Sequence, residues 1–437
     1  MSNSHSLKEI VKLQKLGVSK GIYSVCSANT FVIQAALERS LKDEVEVIIE
    51  ATANQVNQYG GYTGMKPADF RDFVFSIAEK VNFTREKIIL GGDHLGPLTW
   101  KNENASVAME KSQVLIKEYV LAGFTKIHID TSMHLSDDDH SLKLDTKVIA
   151  ERGAILCVSA EEAFSKLKAI DQKAINPVYV VGSEVPIPGG SQDEEDMLQV
   201  TKLADFVETV EVFKKAFLKY KLDAAWENVI AVVVQPGVEF GDEIVHEYHR
   251  KTAKELSKAI KNYPNLVFEG HSTDYQNAAS LKEMVEDGIA ILKVGPALTF
   301  AVREALFALN NIEKEVFKDN ENITLSKFDN ILDAAMLRNP DNWNKHYHAD
   351  GLGMNFARKY SFSDRCRYYL SDAEVIKSID LLIKNLESID IPLTIISQYM
   401  PIQFTKIRRG LLEKTPEALI KDRVDNILDD YRFAVLP

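Results

Sequence analysis

The sequence is poor in cysteine, and its three thiols, at Cys26, Cys157 and Cys366, are far apart and form no CxxC pair. This spacing argues against a disulfide framework or a structural zinc site, and it fits a reducing compartment. No stretch reaches the roughly 18 apolar residues of a membrane-spanning helix. The first residues also lack an apolar segment of the signal-peptide type. We therefore expect a soluble, cytoplasmic protein.

Basic residues are outnumbered, because 52 Lys and Arg face 64 Asp and Glu for a formal net charge of −12. Such a chain lacks the basic footprint that nucleic acids and anionic membranes require, so we expect neither as a partner. A phosphorylated substrate is compatible, since it needs only a few local cations or a helix N-terminus. The sequence also lacks a GxxxxGK[ST] loop, which disfavours a sugar-phosphate kinase.

What the sequence does contain is a series of eight short apolar segments, separated by stretches of helical composition. They lie at 21–27, 45–52, 87–94, 126–132, 178–185, 229–237, 266–273 and 289–298. Strand and helix alternating eight times is the signature of a (β/α)₈ barrel. The sequence therefore predicts an α/β fold, a TIM barrel over residues 1–310 with a helical extension over 311–437 packed on it.

Helices and loops between the strands follow from spacing and composition. Apolar residues at three- and four-residue intervals predict helices over 30–41 and 105–122, and Pro67 fits the first turn of a helix over 67–80. A stretch rich in Pro and Gly at 186–196 predicts a loop after the fifth strand. Because active sites of such barrels lie at the C-terminal ends of the strands, this loop is a candidate substrate loop.

Acidic and imidazole side chains collect at the predicted strand ends. Asp93 and His94 follow the third strand in GGDHLGP, where the glycines let the backbone approach a ligand. Glu269 and His271 share one face of the seventh strand, and Glu184 ends the fifth. Carboxylates can act as general bases, and imidazoles bind Zn²⁺. This pattern predicts a metal-dependent enzyme, and ion pairs around a barrel mouth are the structural alternative.

The fourth strand predicts a polar layer inside the barrel. Lys126, His128 and Asp130 share the face opposite Ile127 and Ile129. His128 has three open roles, as a metal ligand, as an acid or base, or as a hydrogen-bond partner of Asp130. We favour the hydrogen bond to Asp130.

An anionic substrate group finds candidate partners after the eighth strand. Lys293 and the turn at Gly295 lead into a helix that contains Arg303. The loop after this strand and the next helix N-terminus form a common phosphate site in barrels. Arg365 and Arg367 in the extension could reach over the same place.

Long, distinctive strings carry a family resemblance over nearly the whole chain. They are GIYSVCSAN (21–29), EATANQVNQYGGYTGMKPADF (50–70), GGDHLGP (91–97), FTKIHIDTSM (124–133), EGHSTDYQ (269–276), VGPALTF (294–300), SDRCRYYL (363–370) and SQYMP (397–401). These strings resemble the GatZ/KbaZ family, the so-called non-catalytic subunits of class II D-tagatose-1,6-bisphosphate aldolase. That family is similar in turn to the class II fructose- and tagatose-bisphosphate aldolases.

The resemblance implies roles for individual residues. Asp93 corresponds to the catalytic acid/base, and His94 and His271 correspond to zinc ligands. Asp130 lies in the catalytic string after the fourth strand, and Glu184 corresponds to the glutamate of the fifth. We accordingly expect Asp93, Asp130 and Glu184 to act in catalysis.

The sixth strand departs from the aldolase pattern. The aldolases place a third zinc histidine there, whereas this chain has Gln235 and Glu239. We therefore expect a ligand set of His94, His271, Glu184 and Gln235. Zn²⁺ is the favoured ion, although oxygen ligands would also admit Mn²⁺, Ni²⁺ or Co²⁺.

Two functions are compatible with this resemblance. In the first, the chain is a subunit of D-tagatose-1,6-bisphosphate aldolase, acts in ketohexose-phosphate metabolism beside a catalytic subunit and keeps a metal/sugar site. In the second, it is a stand-alone, metal-dependent C4 epimerase of D-fructose and D-tagatose or their 6-phosphates. We expect a sugar-phosphate substrate, and the resemblance to class II aldolases implies a homo- or hetero-oligomer. The residues assigned to substrate and phosphate are Asn54, Gln55, Ser272, Asp274, Lys293, Gly295 and Arg303.

Overall fold

A computed structural model describes residues 5–186, 199–348 and 351–437. Eight parallel strands close into a barrel, which confirms the predicted fold. The barrel strands are β1 (Ile22–Cys26), β2 (Val47–Thr52), β3 (Ile88–Leu95), β4 (Lys126–Ile129), β5 (Val178–Val181), β6 (Val229–Val234), β9 (Val267–Gly270) and β10 (Ile289–Val294). A small antiparallel hairpin of β7 (Glu239–Phe240) and β8 (Val245–His246) follows β6. Apart from Pro186, the predicted loop at 186–196 lies outside the described residues.

Helices surround the barrel. They are α1 (Leu7–Lys15), α2 (Thr30–Lys42), α3 (Pro67–Lys80), α4 (Ala105–Leu121), α5 (Thr146–Ile170), α6 (Leu203–Lys219), α7 (Asp223–Trp226), α8 (Lys254–Ala259), α9 (Ala278–Glu286) and α10 (Pro296–Val316). Asn29, Asn104 and Asn277 cap α2, α4 and α9, because each side chain accepts hydrogen bonds from amides of the first turn. In the described ranges, no helix combines the length and apolar character needed to cross a bilayer.

The barrel interior has an apolar layer at its N-terminal end. Ile48, Val178 and Val267 belong to this layer, and Leu7 and Val11 of α1 pack against it. The His5 ring lies 3.1 Å from the hydroxyl of Thr125, directly before β4, so the first helix closes this end. Polar side chains are therefore left to the opposite, C-terminal end.

The extension begins inside a helix, since position 310 falls within α10. It contains α11 (Phe328–Arg338), α12 (Leu352–Tyr360), α13 (Ala373–Glu387), α14 (Leu393–Tyr399), α15 (Pro401–Arg408) and α16 (Pro416–Val435). The last helix packs along α2, α9 and α10 on the side of the barrel. The buried Tyr431 hydroxyl donates to the carbonyl of Thr273 at 2.8 Å, which ties α16 to the loop after β9. A 3₁₀ turn at Arg365–Tyr369 lies over the mouth.

Candidate active site

Three histidines meet at the C-terminal end of the barrel. His94 comes from β3, His128 from β4 and His271 from the residue after β9. Their ring centroids are 5.1 Å (His94 and His128), 4.8 Å (His94 and His271) and 4.9 Å (His128 and His271) apart. All three rings are buried. The nearly equal spacing arranges them around one point.

Each histidine has one ring nitrogen held by a carboxylate. The pairs are His94 Nδ1 with Asp130 Oδ2 (2.8 Å), His128 Nδ1 with Asp93 Oδ1 (2.8 Å) and His271 Nε2 with Glu269 Oε1 (3.1 Å). Such contacts fix the ring orientation and are typical of metal-ligating histidines, whose second nitrogen binds the ion. The predicted bond between His128 and Asp130 is therefore replaced by a crossed pairing.

The backbone at His94 explains that crossing. Neighbouring residues on a strand normally point to opposite faces. Here His94 has a φ of 47°, in the left-handed region, and the register between β3 and β4 shifts between Gly92 and Leu95. Asp93 continues the register of Gly91 with Lys126 and Gly92 with Ile127 and so lies opposite His128, and the left-handed backbone turns the adjacent His94 to the same polar interior. Left-handed backbone at a non-glycine residue costs of order 1–3 kcal/mol and is concentrated at functional sites.

His128 carries the strongest sign of a ligand site. Its Nδ1 also lies 3.1 Å from the backbone nitrogen of His94, but one ring nitrogen cannot donate and accept at once. Because the carboxylate of Asp93 needs a donor, we assign the proton to Nδ1, which leaves Nε2 with a lone pair. That buried atom has no hydrogen-bond partner among the described residues.

Asp93, His94, His128 and His271 fit a divalent metal. One candidate ligand atom from each lies within 4.8 Å of the others. Three imidazoles with a carboxylate nearby suit Zn²⁺. The orphaned Nε2 of His128 and the carboxylate-held rings satisfy the chemistry that such an ion requires.

A fully buried ionic network underlies the histidines. The ammonium of Lys126 lies 2.6 Å from Glu50 and 2.7 Å from Glu269, and all three side chains are inaccessible to solvent. Lys293 pairs with Glu50 and, at 2.9 Å, with Asp93 Oδ2. Burial lowers the pKa of Lys293 to about 8. Its charge is thus engaged by carboxylates, which differs from the predicted contact with phosphate.

The surroundings of Asp93 favour its ionised form. Burial alone would raise its pKa, but His94, His128 and His271 outweigh that effect and hold the pKa well below its usual value. Burial also works to lower the pKa of His94, but Asp93 and Asp130 raise it above the ordinary range. Burial lowers the pKa of His271.

A cavity of about 600 Å³ opens above the cluster. Asp93, His94 and His271 line its inner end, and Tyr62, Arg367 and Tyr368 line it from the loop after β2 and from the extension. The rings of Tyr62 and Tyr368 meet edge to face, with centroids 4.6 Å apart. The predicted substrate residues that line this cavity are Asn54, Gln55, Ser272, Asp274, Lys293 and Gly295.

Arg303 is placed elsewhere. It is not one of the described residues that line the cavity, and its guanidinium is buried over the Phe300 ring, 4.0 Å from the centroid. Phe307 and Tyr360 flank it at 5.1 and 5.4 Å. The aromatic rings use this cation for packing, which explains why it is not directed at a ligand.

Glu184 and Gln235 line a second cavity, of about 440 Å³, together with Glu239. Glu184 pairs with Lys143 at 2.8 Å, and Gln235 Oε1 accepts the amides of Gly237 and Val238 at 2.8 and 3.0 Å. The structure does not bring either residue to His94 and His271. Gln235 directly follows β6, and Glu184 lies three residues beyond the end of β5, so both lie in loops.

The structure also changes the expected roles of Asp130 and His128. Asp130, predicted to be catalytic, orients His94 and is bound by Ser132, whose hydroxyl donates at 2.7 Å. His128 supplies the third imidazole that the sixth strand lacks. The alternation in KIHID already placed His128 inside the barrel, so its distance from Asp93 was the missing information.

Comparisons with known proteins match nearly the whole chain. The model of a family described as D-tagatose-1,6-bisphosphate aldolase subunit GatZ/KbaZ-like matches residues 7–436. The chain is 47% identical over 431 residues to proteins named D-tagatose-1,6-bisphosphate aldolase subunit GatZ from Salmonella dublin and Salmonella agona, covering 99% of each sequence. A crystal structure of a probable tagatose 6 phosphate kinase from Sinorhizobium meliloti is 41% identical, with a TM-score of 0.86, and covers 95% of this chain and 100% of that chain.

Proposed function

Because the chain belongs to the D-tagatose-1,6-bisphosphate aldolase subunit GatZ/KbaZ-like family, we propose that it serves such an aldolase as a subunit and retains a working metal/sugar site. The observation that carries the proposal is the cluster of His94, His128 and His271, each held by a carboxylate, beside Asp93 at the inner end of a cavity. A buried arrangement of this kind is costly without a function.

His94, His128 and His271 would hold the divalent ion. Zn²⁺ is the first candidate because the donors are imidazoles, and Mn²⁺, Ni²⁺ or Co²⁺ are the alternatives. When bound, the ion supplies Lewis-acid polarisation of the ketose carbonyl. Asp130 and Glu269 orient His94 and His271 for this purpose.

Asp93 is the general base of the proposed reaction. It takes the proton of the C4 hydroxyl, the C3–C4 bond breaks, and the electron pair of that bond delocalises into the C2 carbonyl while C4 becomes an aldehyde. His128 and Lys293 hold the two oxygens of Asp93 at 2.8 and 2.9 Å, so the base is fixed in position and ionised. Release of the aldehyde and return of the proton from Asp93 to C3 complete an aldol cleavage and regenerate the base.

A second candidate function, ketose 4-epimerisation, is favoured by the cover over the cavity. Tyr62, Tyr368 and Arg367 line the cavity opposite the histidines and would retain the aldehyde after cleavage. Rotation of the aldehyde before the C3–C4 bond re-forms inverts C4, and Asp93 returns the proton to the C4 oxygen. No fragment leaves, so no partner subunit is needed.

The structural relative from Sinorhizobium meliloti is named as a probable kinase, an activity that we do not extend to this chain. The sequence has no GxxxxGK[ST] loop to bind a nucleoside triphosphate. We propose a ketose phosphate as the substrate and a catalytic class II aldolase subunit as the partner, in a homo- or hetero-oligomer in the cytoplasm. The relatives are named as subunits of an aldolase, which supports a catalytic partner subunit.

The test uses the purified full chain with D-tagatose 6-phosphate or D-tagatose 1,6-bisphosphate, followed by ¹³C NMR in Zn²⁺, Mn²⁺ or EDTA. Triose-phosphate products would establish aldol cleavage, and a metal-dependent fructose epimer would establish the second candidate. Each reaction is then repeated with a class II tagatose-bisphosphate aldolase added. A metal-loaded chain that leaves both sugars unchanged, and whose Asp93→Asn variant supports the added aldolase as well as wild type does, would refute a working site.

A further inference from the structure

The carboxylate of Asp274 occupies the N-terminus of α10. Its Oδ1 accepts hydrogen bonds from the backbone amides of Gly295, at 3.0 Å, and Ala297, at 2.8 Å. The side chain is buried and lines the cavity. In barrels of this type, the backbone amides after the eighth barrel strand, which is β10 here, are a common place for a substrate phosphate. In this chain an anion of the protein itself already holds them.

A phosphate at this position would meet a carboxylate of like charge. The surroundings are buried, so solvent does little to screen the repulsion. The amides of Gly295 and Ala297 are also engaged, which removes two donors that a phosphate would use. A sugar hydroxyl, in contrast, can donate a hydrogen bond to Asp274.

The cations that line the cavity further limit the number of phosphate groups that it can bind. Lys293 is paired with Glu50 and Asp93, and Lys80 is exposed to solvent. Arg367 is different, because its Nη1 donates to two backbone carbonyls, of Ser363 at 2.5 Å and of Asp364 at 2.8 Å. Within the described ranges it forms no ion pair with a carboxylate. Burial raises the pKa of Asp274 and Asp364 and the charge of Arg367 lowers it from a distance, but no carboxylate among the described residues binds the guanidinium directly, so a ligand phosphate can.

We propose that the cavity is built for a ketose with a single phosphate, which faces Arg367, and that Asp274 receives a hydroxyl and excludes a second phosphate. The inference rests on the proposed function, since it takes a ketose phosphate as the ligand, and it leaves cleavage of the bisphosphate to the catalytic partner subunit. It makes Asp274 a specificity-determining residue, which selects monophosphates over bisphosphates.

Direct binding tests this selection independently of turnover. Isothermal titration of the full chain, with Zn²⁺ and with EDTA, measures the affinities for D-fructose 6-phosphate, D-fructose 1-phosphate and D-fructose 1,6-bisphosphate. We expect wild type to bind the better monophosphate at least about tenfold more tightly than the bisphosphate. The Asp274→Asn variant keeps an oxygen for the amides of α10, and it should bring this ratio close to one.

Asp380→Asn is the matched control, because it removes a negative charge from an exposed residue that lines the same cavity. We expect it to leave the ratio as in wild type, and we expect Arg367→Met to weaken the preferred monophosphate by at least about tenfold. A wild type that binds the bisphosphate as tightly as either monophosphate would overturn the inference and leave the proposed function intact. That comparison needs no variant to fold. A wild type that binds none of the three sugars would refute both proposals.

Discussion

The two cavities at the barrel mouth differ in how their charges are held. In the first, the pairs His128 with Asp93 and Lys126 with Glu50 have side chains at most 2% exposed. In the second, Glu184 is 26% exposed and its partner Lys143 is 74% exposed. An exposed pair of that kind contributes about 0–1 kcal/mol, whereas a buried charge must be compensated by close partners. Acidic residues at a barrel mouth are thus informative only when they are buried together.

The strands themselves create this difference. On β2 and β4 the interior side chains at the same height are Glu50 and Lys126, which are charged. On β5 and β6 the interior carries Val180 and Val233, which belong to the apolar cluster. Polar residues on that side therefore begin only beyond the strand ends. Chemistry is concentrated on the strands whose interior is polar.

Replacing Asp93, the proposed base, should show the largest difference in activity between the two cavities. We expect Asp93→Asn to lower kcat/KM by about 10²- to 10⁴-fold, because the amide cannot take the C4 proton. Glu184→Gln, its counterpart in the second cavity, should change kcat/KM by less than about threefold, since it breaks only a partly exposed pair. Kinetics with D-tagatose 6-phosphate and the 1,6-bisphosphate measure both. A large loss in Glu184→Gln would restore the sequence-based role of that residue.

Replacing one lysine in each region compares how much its ion pairs contribute to the stability of the protein. Lys126→Met leaves Glu50 and Glu269 buried without their shared cation, so we expect a loss of about 3–5 kcal/mol in the free energy of unfolding. Lys143→Met should cost no more than about 1 kcal/mol. Urea denaturation of the two variants gives both values. Equal losses would mean that the network around Lys126 is better solvated than its burial indicates.

Metal affinity tests the ligand set. Loss of a residue that only orients a metal ligand typically weakens metal binding by about 10- to 100-fold. We expect His128→Ala to weaken Zn²⁺ binding by more than that. Gln235→Ala should bind the ion as wild type does, because the Gln235 amide is used by Gly237 and Val238. Titration of the apo proteins with Zn²⁺ distinguishes them. The reverse result would favour the ligand set predicted from the sequence.

The fold was predictable because each strand is an apolar run that is covered on both sides. The predicted helix over 67–80 coincides with α3, since Pro67 marks its first turn. Asp93, His94 and His271 were expected at the mouth and line the first cavity. Their placement follows from the rule that strand ends meet at one edge.

The pairings within the site were not predictable in the same way. The pairing of His94 with Asp130 depends on the left-handed backbone at His94 and on the register shift after Gly92, neither of which the sequence pattern indicates. The predicted contribution of Glu184 depended on where β5 ends, and the strand ends three residues earlier, at Val181. Arg303 is the exception, since Phe300 and Phe307 stand three residues before and four after it, and this helical spacing indicates an aromatic contact.

The smallest expected effect concerns Asp274, whose pKa burial raises to about 6 from 3.8. Between these two values the folded protein keeps a proton that the unfolded chain has lost, so stability falls as pH rises through this window and is constant above it. We expect the free energy of unfolding of wild type, relative to Asp274→Asn, to drop by roughly 2–3 kcal/mol from pH 4 to pH 6.5. Urea titrations at both pH values measure the drop, and other groups cancel in the difference. A difference that does not change with pH would mean that Asp274 is already ionised at pH 4. The amides of α10 and the charge of Arg367 would then outweigh burial, and the repulsion of a second phosphate would persist in acid.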